Sequence, residues 1–468
     1  MFMKRKVTLI LAMMLLVLTA SAKKGPKYVF YFIGDGMGTN QVMGIQYYLQ
    51  DIEGKYGYKP LCFTQFPYTG LVVTYSANSD VTDSSAAGTA LASGQKTDNN
   101  VLGLLPDRET PVVTIAEMAH KKGIRVAIGT SCSIDHATPG SFYGHTRHRN
   151  MYHQIGNQLS DSGFEFFGGA EFRQPAARND DDQDNYVKAE KAGYTVVRGY
   201  DEYKQKAAST DKIILFDKDS KSDHALAYSI DQKEGDLKLA QVTEAAIDFM
   251  MKEPKKGFFM MMEGGRIDNA CHANDPGAYI REMLDFDEAI KIAYDFYLKH
   301  KKETLIVITA DHETGGLGLT AGDYKTNLKV LQYQKMSKDA FTAHLEKMGR
   351  EIGDILTWEE VEKELKENFG FWDKIELTDK QTASLKSAYV ETFGMGPGAL
   401  EEGKYFEVSK MSDEAARVMT ECAQISWAAG CHSGSYVPVF AIGAGAEQFT
   451  GQIDNKDIPM KIKKLAGY

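Results

Sequence analysis

The chain has 468 residues, enough for a large hydrophobic core, which favours one large α/β domain with insertions or two domains. Its 64 acidic residues outnumber its 54 basic residues and give a formal net charge of −10. A chain without a basic excess has few cations to spare for phosphate contacts, which argues against nucleic acid as its natural partner.

Residues 1–22 have the pattern of a secretory signal peptide. Basic residues at positions 4–6 precede an apolar stretch over residues 7–18, and Ala20-Ser21-Ala22 has the A-x-A form of a cleavage site. The apolar stretch is short for a bilayer-spanning helix, although a membrane anchor is the alternative interpretation. We therefore expect an exported protein, periplasmic or extracellular, without a stable membrane anchor.

Short runs of β-branched and aromatic residues alternate with helical patterns along the chain. This alternation predicts an α/β fold with a mostly parallel central sheet and helices on both faces. Ligands of such sheets bind beyond the carboxyl ends of the strands. The predicted strands are 28–33, 70–75, 125–129, 258–262, 304–309 and 437–442, and the predicted helices include 114–120, 239–251 and 281–298.

The segment at 81–89, V-T-D-S-S-A-A-G-T, predicts a helix that begins at a serine and continues in small residues. Small residues let the helix N-terminus approach an anionic ligand, and the helix dipole favours negative charge there. Ser84 is a candidate nucleophile if a base or a metal lowers its pKa. The alternative is an ordinary capped helix that packs through its alanines.

Most of the predicted strands run directly into side chains that can bind metals. Imidazole together with carboxylate suits Zn²⁺, and carboxylate with hydroxyl oxygens suits Mg²⁺. Two zinc ions about 3.5–4 Å apart can stabilise the attacking and leaving oxygens of an in-line displacement at phosphorus. The candidate ligands are Asp35, Asp268, His272, Asp311, His312 and His432, with Thr138 and Glu263 nearby.

Residues from about 324 to 410 interrupt the alternation of strands and helices. This stretch is rich in Lys and Glu, and Thr357-x-x-Glu360 and Thr378-x-x-Gln381 are capping-box patterns that open helices. We interpret it as a helical insertion without catalytic residues, within a domain that covers residues 27–468.

Five motifs along the chain together resemble those of the alkaline phosphatase family. They are Asp83-Ser84 with its small-residue tail, G-D-G-M-G at 34–38, E-G-G-R-I-D at 263–268, A-D-H-E at 310–313, and the late His432. They occur in the order that the family has and extend over most of the chain. The resemblance implies the alkaline-phosphatase fold and hydrolysis of small phosphate monoesters, in an enzyme that is commonly a homodimer.

The resemblance also implies a role for each matched position. Ser84 would form a phosphoserine intermediate, and Arg149 would grip the phosphate, with Arg147 as the rival for that role. Two Zn²⁺ and one Mg²⁺ are implied as cofactors. Asp268, His272 and His432 would hold one zinc, Asp35, Asp311 and His312 the other, and Asp35, Thr138 and Glu263 the magnesium.

The chain departs from the best-known bacterial pattern at two positions near the third metal and the phosphate. His136 stands where that pattern has an aspartate, and Asn269 stands where others carry lysine or histidine. Both would lie next to the ligands rather than among them, and they put the identity of the third metal in question. A disulfide between Cys271 and Cys431, each of which precedes an implied zinc ligand, is a further hypothesis.

Two other functions compete with phosphate monoester hydrolysis. A phosphodiesterase or sulfatase of the same superfamily is the nearer one, but a sulfatase needs a C-x-P-x-R motif, which this chain lacks. Diesterases usually carry threonine as the nucleophile. A metal-binding or phosphate-scavenging protein without activity is the other, and it predicts the loss of Ser84 or of a ligand, none of which is missing.

Overall fold

The computed structural model describes residues 25–177, 183–219, 221, 223–322, 324–352, 355–393 and 408–468. The predicted signal peptide at 1–22 lies outside these residues. Among the described helices, none combines the length and the apolar character that crossing a bilayer requires.

A ten-stranded sheet forms the centre of the molecule, and its strand order is β12-β2-β11-β8-β1-β7-β3-β4-β6-β5. All of the pairings along it are parallel except those of β11 with β2 and β8. The strands are β1 (Tyr28–Ile33), β2 (Tyr68–Val73), β3 (Arg125–Thr130), β4 (Phe166–Gly169), β5 (Thr195–Arg198), β6 (Ile213–Phe216), β7 (Phe258–Glu263), β8 (Thr304–Thr309), β11 (Val437–Gly443) and β12 (Gly451–Asp454). The two-residue strands β9 (Glu313–Thr314) and β10 (His432–Ser433) pair separately.

Helices precede, separate and follow these strands. They are α1 (Thr39–Asp51), α2 (Ser84–Ser93), α3 (Ile115–Lys121), α4 (Ala137–Gly140), α5 (Tyr152–Ser162), α6 (Asn185–Lys191), α7 (Tyr200–Lys206), α8 (Leu239–Met250), α9 (Arg266–His272), α10 (Pro276–Lys299), α11 (Lys338–Ile352), α12 (Trp358–Phe369), α13 (Asp379–Phe393), α14 (Ser409–Cys422) and α15 (Asp457–Ala466).

The central strands are covered on both faces. Every residue of β1, β3, β7 and β8 is buried, and successive side chains of a strand point to opposite faces of the sheet. The predicted fold class is therefore confirmed. The prediction that 70–75 is a buried strand is wrong in one respect, because in β2 only Val72 is buried.

The helices α11 to α14 lie in the part of the chain that we interpret as an insertion. Thr357 accepts from the backbone N–H of Glu360, whose side chain accepts from the N–H of Thr357, so the capping box at the start of α12 is formed. The Thr378–Gln381 pair makes the same two bonds before α13. The status of this region as an insertion without catalytic residues stays a prediction.

Candidate active site

The candidate site lies where the central parallel strands end. The register pairs the last residue of β1, Ile33, with Glu263 of β7 and with Thr309 of β8, and it pairs Thr130 of β3 with the same Glu263. The residues that follow these strands are therefore brought to one edge of the sheet, as the sequence predicted for a parallel sheet.

Two short elements bring the remaining predicted ligands to this edge. The two-residue strand β10 pairs antiparallel with β9, so that His432 lies opposite Thr314. Asp268 and His272 are four residues apart in α9, which places both side chains on one face of that helix.

Three groups among the described residues could hold a metal ion, and the first consists of Asp268, His272 and His432. The Nε2 atoms of the two histidines are 3.1 Å apart, and an Asp268 carboxylate oxygen lies 3.4 Å from Nε2 of His272. The Nδ1 atoms face backbone carbonyls, those of Gly430 at 2.8 Å and Thr82 at 2.9 Å. An Nδ1–H that donates to a carbonyl leaves Nε2 free as a ligand atom, which is the usual arrangement at metal sites.

Asp35, Asp311 and His312 form the second group, and all three side chains are fully buried. Nε2 of His312 lies 3.4 Å from an Asp35 oxygen and 3.2 Å from an Asp311 oxygen. The Oγ of Ser84 lies 3.2 Å from the same nitrogen. Thr314, which the sequence did not single out, donates from Oγ1 to Asp268 at 2.6 Å and contacts Nδ1 of His312 at 3.2 Å.

Glu263 marks a third group beside the second one. The metal-capable atoms that lie together here belong to Cys132, His136 and Glu263. Thr138 Oγ1 is also buried without a hydrogen-bond partner, as are both carboxylate oxygens of Asp35. Such orphaned buried oxygens need an explanation, and a bound cation supplies one. The donor set therefore fits a divalent metal.

The buried carboxyl groups of the cluster repel one another when they are ionised, and a positive charge between them would stabilise them. Burial, reinforced by the neighbouring carboxylates, raises the pKa of Asp35 and of Asp311 well above the usual value. Burial likewise raises the pKa of Glu263 to about 7. Burial and the adjacent cationic groups lower the pKa of His312 well below its usual value, so its imidazole is neutral. Neutral imidazole and clustered carboxylates are the forms that bind metal ions.

The helix α2 presents Ser84 as its first residue, with only 2% of the side chain surface exposed. Its N-cap is Asp83, whose carboxylate accepts from the backbone N–H of Ala86 at 3.0 Å. Every residue of α2 is buried. At Gly88 an added Cβ would lie 2.7 Å from the Oγ of Ser141, which explains why small residues are needed here.

Of the two candidate phosphate-binding arginines, the structure brings only Arg149 to the cluster. Its Nη1 donates to Asp83 at 3.1 Å and its Nη2 lies 3.3 Å from Nε2 of His136. Arg147 instead pairs with Glu109 at 3.4 Å, and both of these side chains are about two-thirds exposed or more. The position of Arg149 agrees with the sequence-based preference, and its role stays a prediction.

A cavity of about 430 Å³ opens beside the cluster. Its lining includes Cys132, His136, Asn269, His272 and Arg266. The guanidinium of Arg266 lies 3.8 Å from the ring centre of Tyr228 and donates to the Asn269 amide oxygen at 3.3 Å. Asn269, one of the two positions that depart from the best-known bacterial pattern, therefore lies beside the third group, where its amide oxygen faces the Cys132 thiol.

The cysteines correct one hypothesis. All five are free, so the proposed bridge between Cys271 and Cys431 is wrong. Cys271 is fully buried beside the zinc-type ligands, whereas Cys431 is exposed. No role was assigned to Cys132 from the sequence, because a lone cysteine three residues after a predicted strand carries no recognisable motif.

Comparison with known proteins identifies relatives that are similar to this chain in sequence and fold. The family model described as alkaline phosphatase matches residues 26–468. Alkaline phosphatase 3 of Bacillus subtilis (strain 168) is 32% identical over 454 residues, which are 94% of this chain and 89% of that protein. The crystal structure of Thermus thermophilus alkaline phosphatase is 26% identical, with a TM-score of 0.76, and the match covers 95% of this chain and 92% of that one.

A further similar structure is a variant of the alkaline phosphatase TAB5. In that variant a histidine is replaced by glutamate, and Mg is bound in a site called M3. It is 26% identical to this chain, with a TM-score of 0.65, and the match covers 95% of this chain and 99% of that one.

Proposed function

This chain belongs to the alkaline phosphatase family, and from that premise we propose that it hydrolyses phosphate monoesters through a phosphoserine intermediate on Ser84. The observation that carries the proposal is the environment of His312 Nε2, which has Ser84 Oγ, an Asp35 oxygen and an Asp311 oxygen within 3.2–3.4 Å. The Thr314 hydroxyl gives its hydrogen to Asp268, so His312 carries its ring proton on Nδ1 and its bare Nε2 faces the carboxylate oxygens. A cation between them would bind the nitrogen and all the oxygens.

The proposed ligands are those of the three groups. Asp268, His272 and His432 would hold one Zn²⁺, Asp35, Asp311 and His312 the other, and Asp35, Thr138 and Glu263 a Mg²⁺. When bound, these ions lower the pKa of the serine hydroxyl and stabilise negative charge on the leaving oxygen.

The side chains of the chain itself carry the reaction. Ser84 Oγ gives its proton to solvent water and attacks phosphorus, the bond from phosphorus to the alcohol oxygen breaks, and the leaving alcohol oxygen takes a proton back from water. Arg149 donates two parallel N–H bonds to the phosphoryl oxygens, and Asp83 holds its guanidinium in place. Water then attacks phosphorus of phosphoserine, releasing inorganic phosphate and returning a proton to Ser84. Each step inverts the configuration at phosphorus.

One experiment tests the reaction class. The purified protein should hydrolyse a chromogenic phosphate monoester at least about 100-fold more efficiently, in kcat/KM, than the matching diester, a difference of about 2.7 kcal/mol. A chelator should abolish both activities. Faster diester hydrolysis would instead support the phosphodiesterase alternative, and absence of both would support a binding protein.

Replacing Arg149 by alanine should lower kcat/KM for the monoester by about 100-fold or more, because each hydrogen bond to a charged group contributes about 1.5–3 kcal/mol. Inhibition by inorganic phosphate should weaken in parallel. Arg149→Lys should recover only part of this, since an ammonium cannot make the bidentate pair. Arg147→Ala is the matched control and should stay near the wild-type value, because its ion pair is exposed. Equal losses in the two alanine variants would contradict the assignment.

Replacing His136 by aspartate should tighten Mg²⁺ binding and reduce activation by added Mg²⁺. The change puts a negative carboxylate beside the cation in place of an imidazole, whose pKa burial lowers to about 3. The TAB5 variant with glutamate in place of a histidine and Mg in its M3 site supports this expectation. Metal analysis and Mg²⁺ titration of both forms measure the effect. Equal Mg²⁺ affinities would show that position 136 does not tune the site.

We also propose that the enzyme is exported, on the evidence of the signal-peptide pattern in residues 1–22. Export would place it where small phosphorylated substrates are available outside the cytoplasm. The homodimer that the family resemblance implies stays a prediction.

A further inference from the structure

The thiol of Cys132 lies at the third metal group, and the proposed reaction gives it no role. Its Sγ, a ring nitrogen of His136 and a carboxylate oxygen of Glu263 all lie within 4.8 Å of one another. We propose that these three groups form a thiolate-containing site that takes Zn²⁺ and competes, through the shared Glu263, with the Mg²⁺ proposed for the oxygen ligands. It shares Glu263 with the oxygen ligands Asp35 and Thr138. The inference rests on the proposed function in that it concerns the metals of the same site.

Two unsatisfied atoms point to a ligand here independently of the thiol. Oε1 of Glu263 and Nδ1 of His136 are buried, lack a hydrogen-bond partner, and lie 4.0 Å apart. The Glu263 side chain is fully buried, and its other oxygen is occupied by the Thr130 hydroxyl. A bound ion between Glu263 Oε1 and His136 Nδ1 would give both of these unsatisfied atoms a partner.

The position of the Cys132 side chain is fixed by its neighbours. Its backbone N–H donates to Thr130 Oγ1 at 2.8 Å, and its Sγ lies 3.8 Å from the Asn269 amide oxygen. A Cβ added to Gly265 would lie 2.6 Å from the same sulfur, so the bare backbone of that glycine makes room for the thiol. The sulfur therefore lies next to Asn269 and Gly265, within 4.8 Å of the His136 and Glu263 donor atoms.

The donor chemistry selects between the two candidate ions. Zinc binds sulfur at about 2.3 Å and nitrogen at about 2.0–2.1 Å, which puts two ligands of a tetrahedral site about 3.5 Å apart. The three donor atoms lie within 4.8 Å of one another, so a bound zinc would draw them closer together. Mg²⁺ requires octahedral oxygen ligands and does not favour a thiolate. Because both donor sets use Glu263, zinc in the thiolate site excludes magnesium from the oxygen set.

Loading this site also changes the contact between His136 and Arg149. A guanidinium N–H can only donate, so the 3.3 Å contact makes Nε2 of His136 the acceptor and leaves the proton on Nδ1. A metal at Nδ1 displaces that proton, and the ring then carries its hydrogen on Nε2, facing the guanidinium. The guanidinium then loses His136 as an acceptor and keeps its ion pair with Asp83.

An ion can reach the site from solvent. Cys132 and His136 both line the cavity of about 430 Å³ beside the cluster, so entry does not require the core to open. A usable metal site needs such a path as well as suitable ligands.

Cobalt is the probe that tests the proposal. The metal-free full-length enzyme, loaded with Co²⁺ to three ions per chain, should show a near-ultraviolet sulfur-to-cobalt charge-transfer band. Cys132→Ser should lose that band. It should also bind the third ion at least about 100-fold more weakly, because losing a direct ligand should cost at least as much metal affinity as losing an outer hydrogen-bond partner, which costs up to about 100-fold. Cys422→Ser, which removes a half-buried thiol on α14, is the matched control and should keep the band.

Two further readouts make the result decisive. X-ray absorption of the wild-type zinc enzyme should show a zinc–sulfur distance of about 2.3 Å, which needs no variant. Hydrolysis of a chromogenic monoester by the zinc enzyme used for X-ray absorption reports the proposed function separately. A cobalt sample without the band, or a band unchanged in Cys132→Ser, would overturn the thiolate site alone. An inactive wild-type zinc enzyme would overturn the proposed function instead.

Discussion

Replacing Ser84 by alanine is expected to lower kcat on phosphate monoesters by on the order of 10³- to 10⁶-fold, because it removes the atom that attacks phosphorus. The fold should survive. The cap of α2 is the Asp83 carboxylate, not the serine hydroxyl, so the helix keeps its N-terminal hydrogen bond. Residual activity from direct attack by water is compatible with the proposal, since Arg149 and the metal ligands remain.

The neighbouring serine provides a matched control for this variant. Ser85 Oγ donates to Asp83 at 2.7 Å and is as buried as Ser84, but it does not contact His312. Ser85→Ala should therefore cost about one hydrogen bond, a loss of about tenfold or less. Acid quench of the wild type during turnover should trap phosphate on Ser84. Near-wild-type turnover of Ser84→Ala, or phosphate trapped elsewhere, would rule out the covalent mechanism.

The centre of the fold could be predicted because its strands are buried on both faces. The runs at 28–33 and 304–309 appear as β1 and β8 with the predicted bounds. Short peripheral strands were missed for a physical reason. β4 has the sequence F-F-G-G and β12 the sequence G-Q-I-D, which carry too little hydrophobic pattern to be recognised.

The candidate site was predictable to the extent that its residues follow strands. Asp35, Glu263 and Asp311 adjoin buried strands, and the parallel register alone brings such residues together. His432 is different, because its place depends on a two-residue pairing with β9 that no periodicity reveals. The contact of Cys132 with the third group depends on side-chain direction after β3, which a single sequence does not encode in a recognisable pattern.

Removing the metals should abolish activity and destabilise the fold at the same time. An ion whose free concentration is 1,000 times its dissociation constant stabilises the native state by about 4 kcal/mol. The described residues offer three groups that could each hold one ion. The free energy of unfolding in urea, measured before and after chelation, gives the size of the loss. Re-addition of Zn²⁺ should restore stability and activity together. A chelated protein as stable as the holoenzyme would show that the clustered carboxylates do not bind structural ions.

The metal-free protein should also lose stability as the pH rises from about 5 to about 7, unlike the holoenzyme. Burial and mutual repulsion raise the pKa of Asp35 and Asp311, and burial raises that of Glu263 to about 7. A raised folded-state pKa means that the native state holds the proton more tightly, so stability falls while pH rises toward that pKa, by about 1.4 kcal/mol per unit and group. The lowered pKa of His312 acts in the opposite sense, but only below about 6.5, where unfolded imidazoles take up protons. Urea unfolding at pH 5 and 7 should therefore show a drop for the metal-free protein, because three carboxyl groups outweigh one imidazole. Bound cations hold these carboxylates ionised in the holoenzyme and remove the slope.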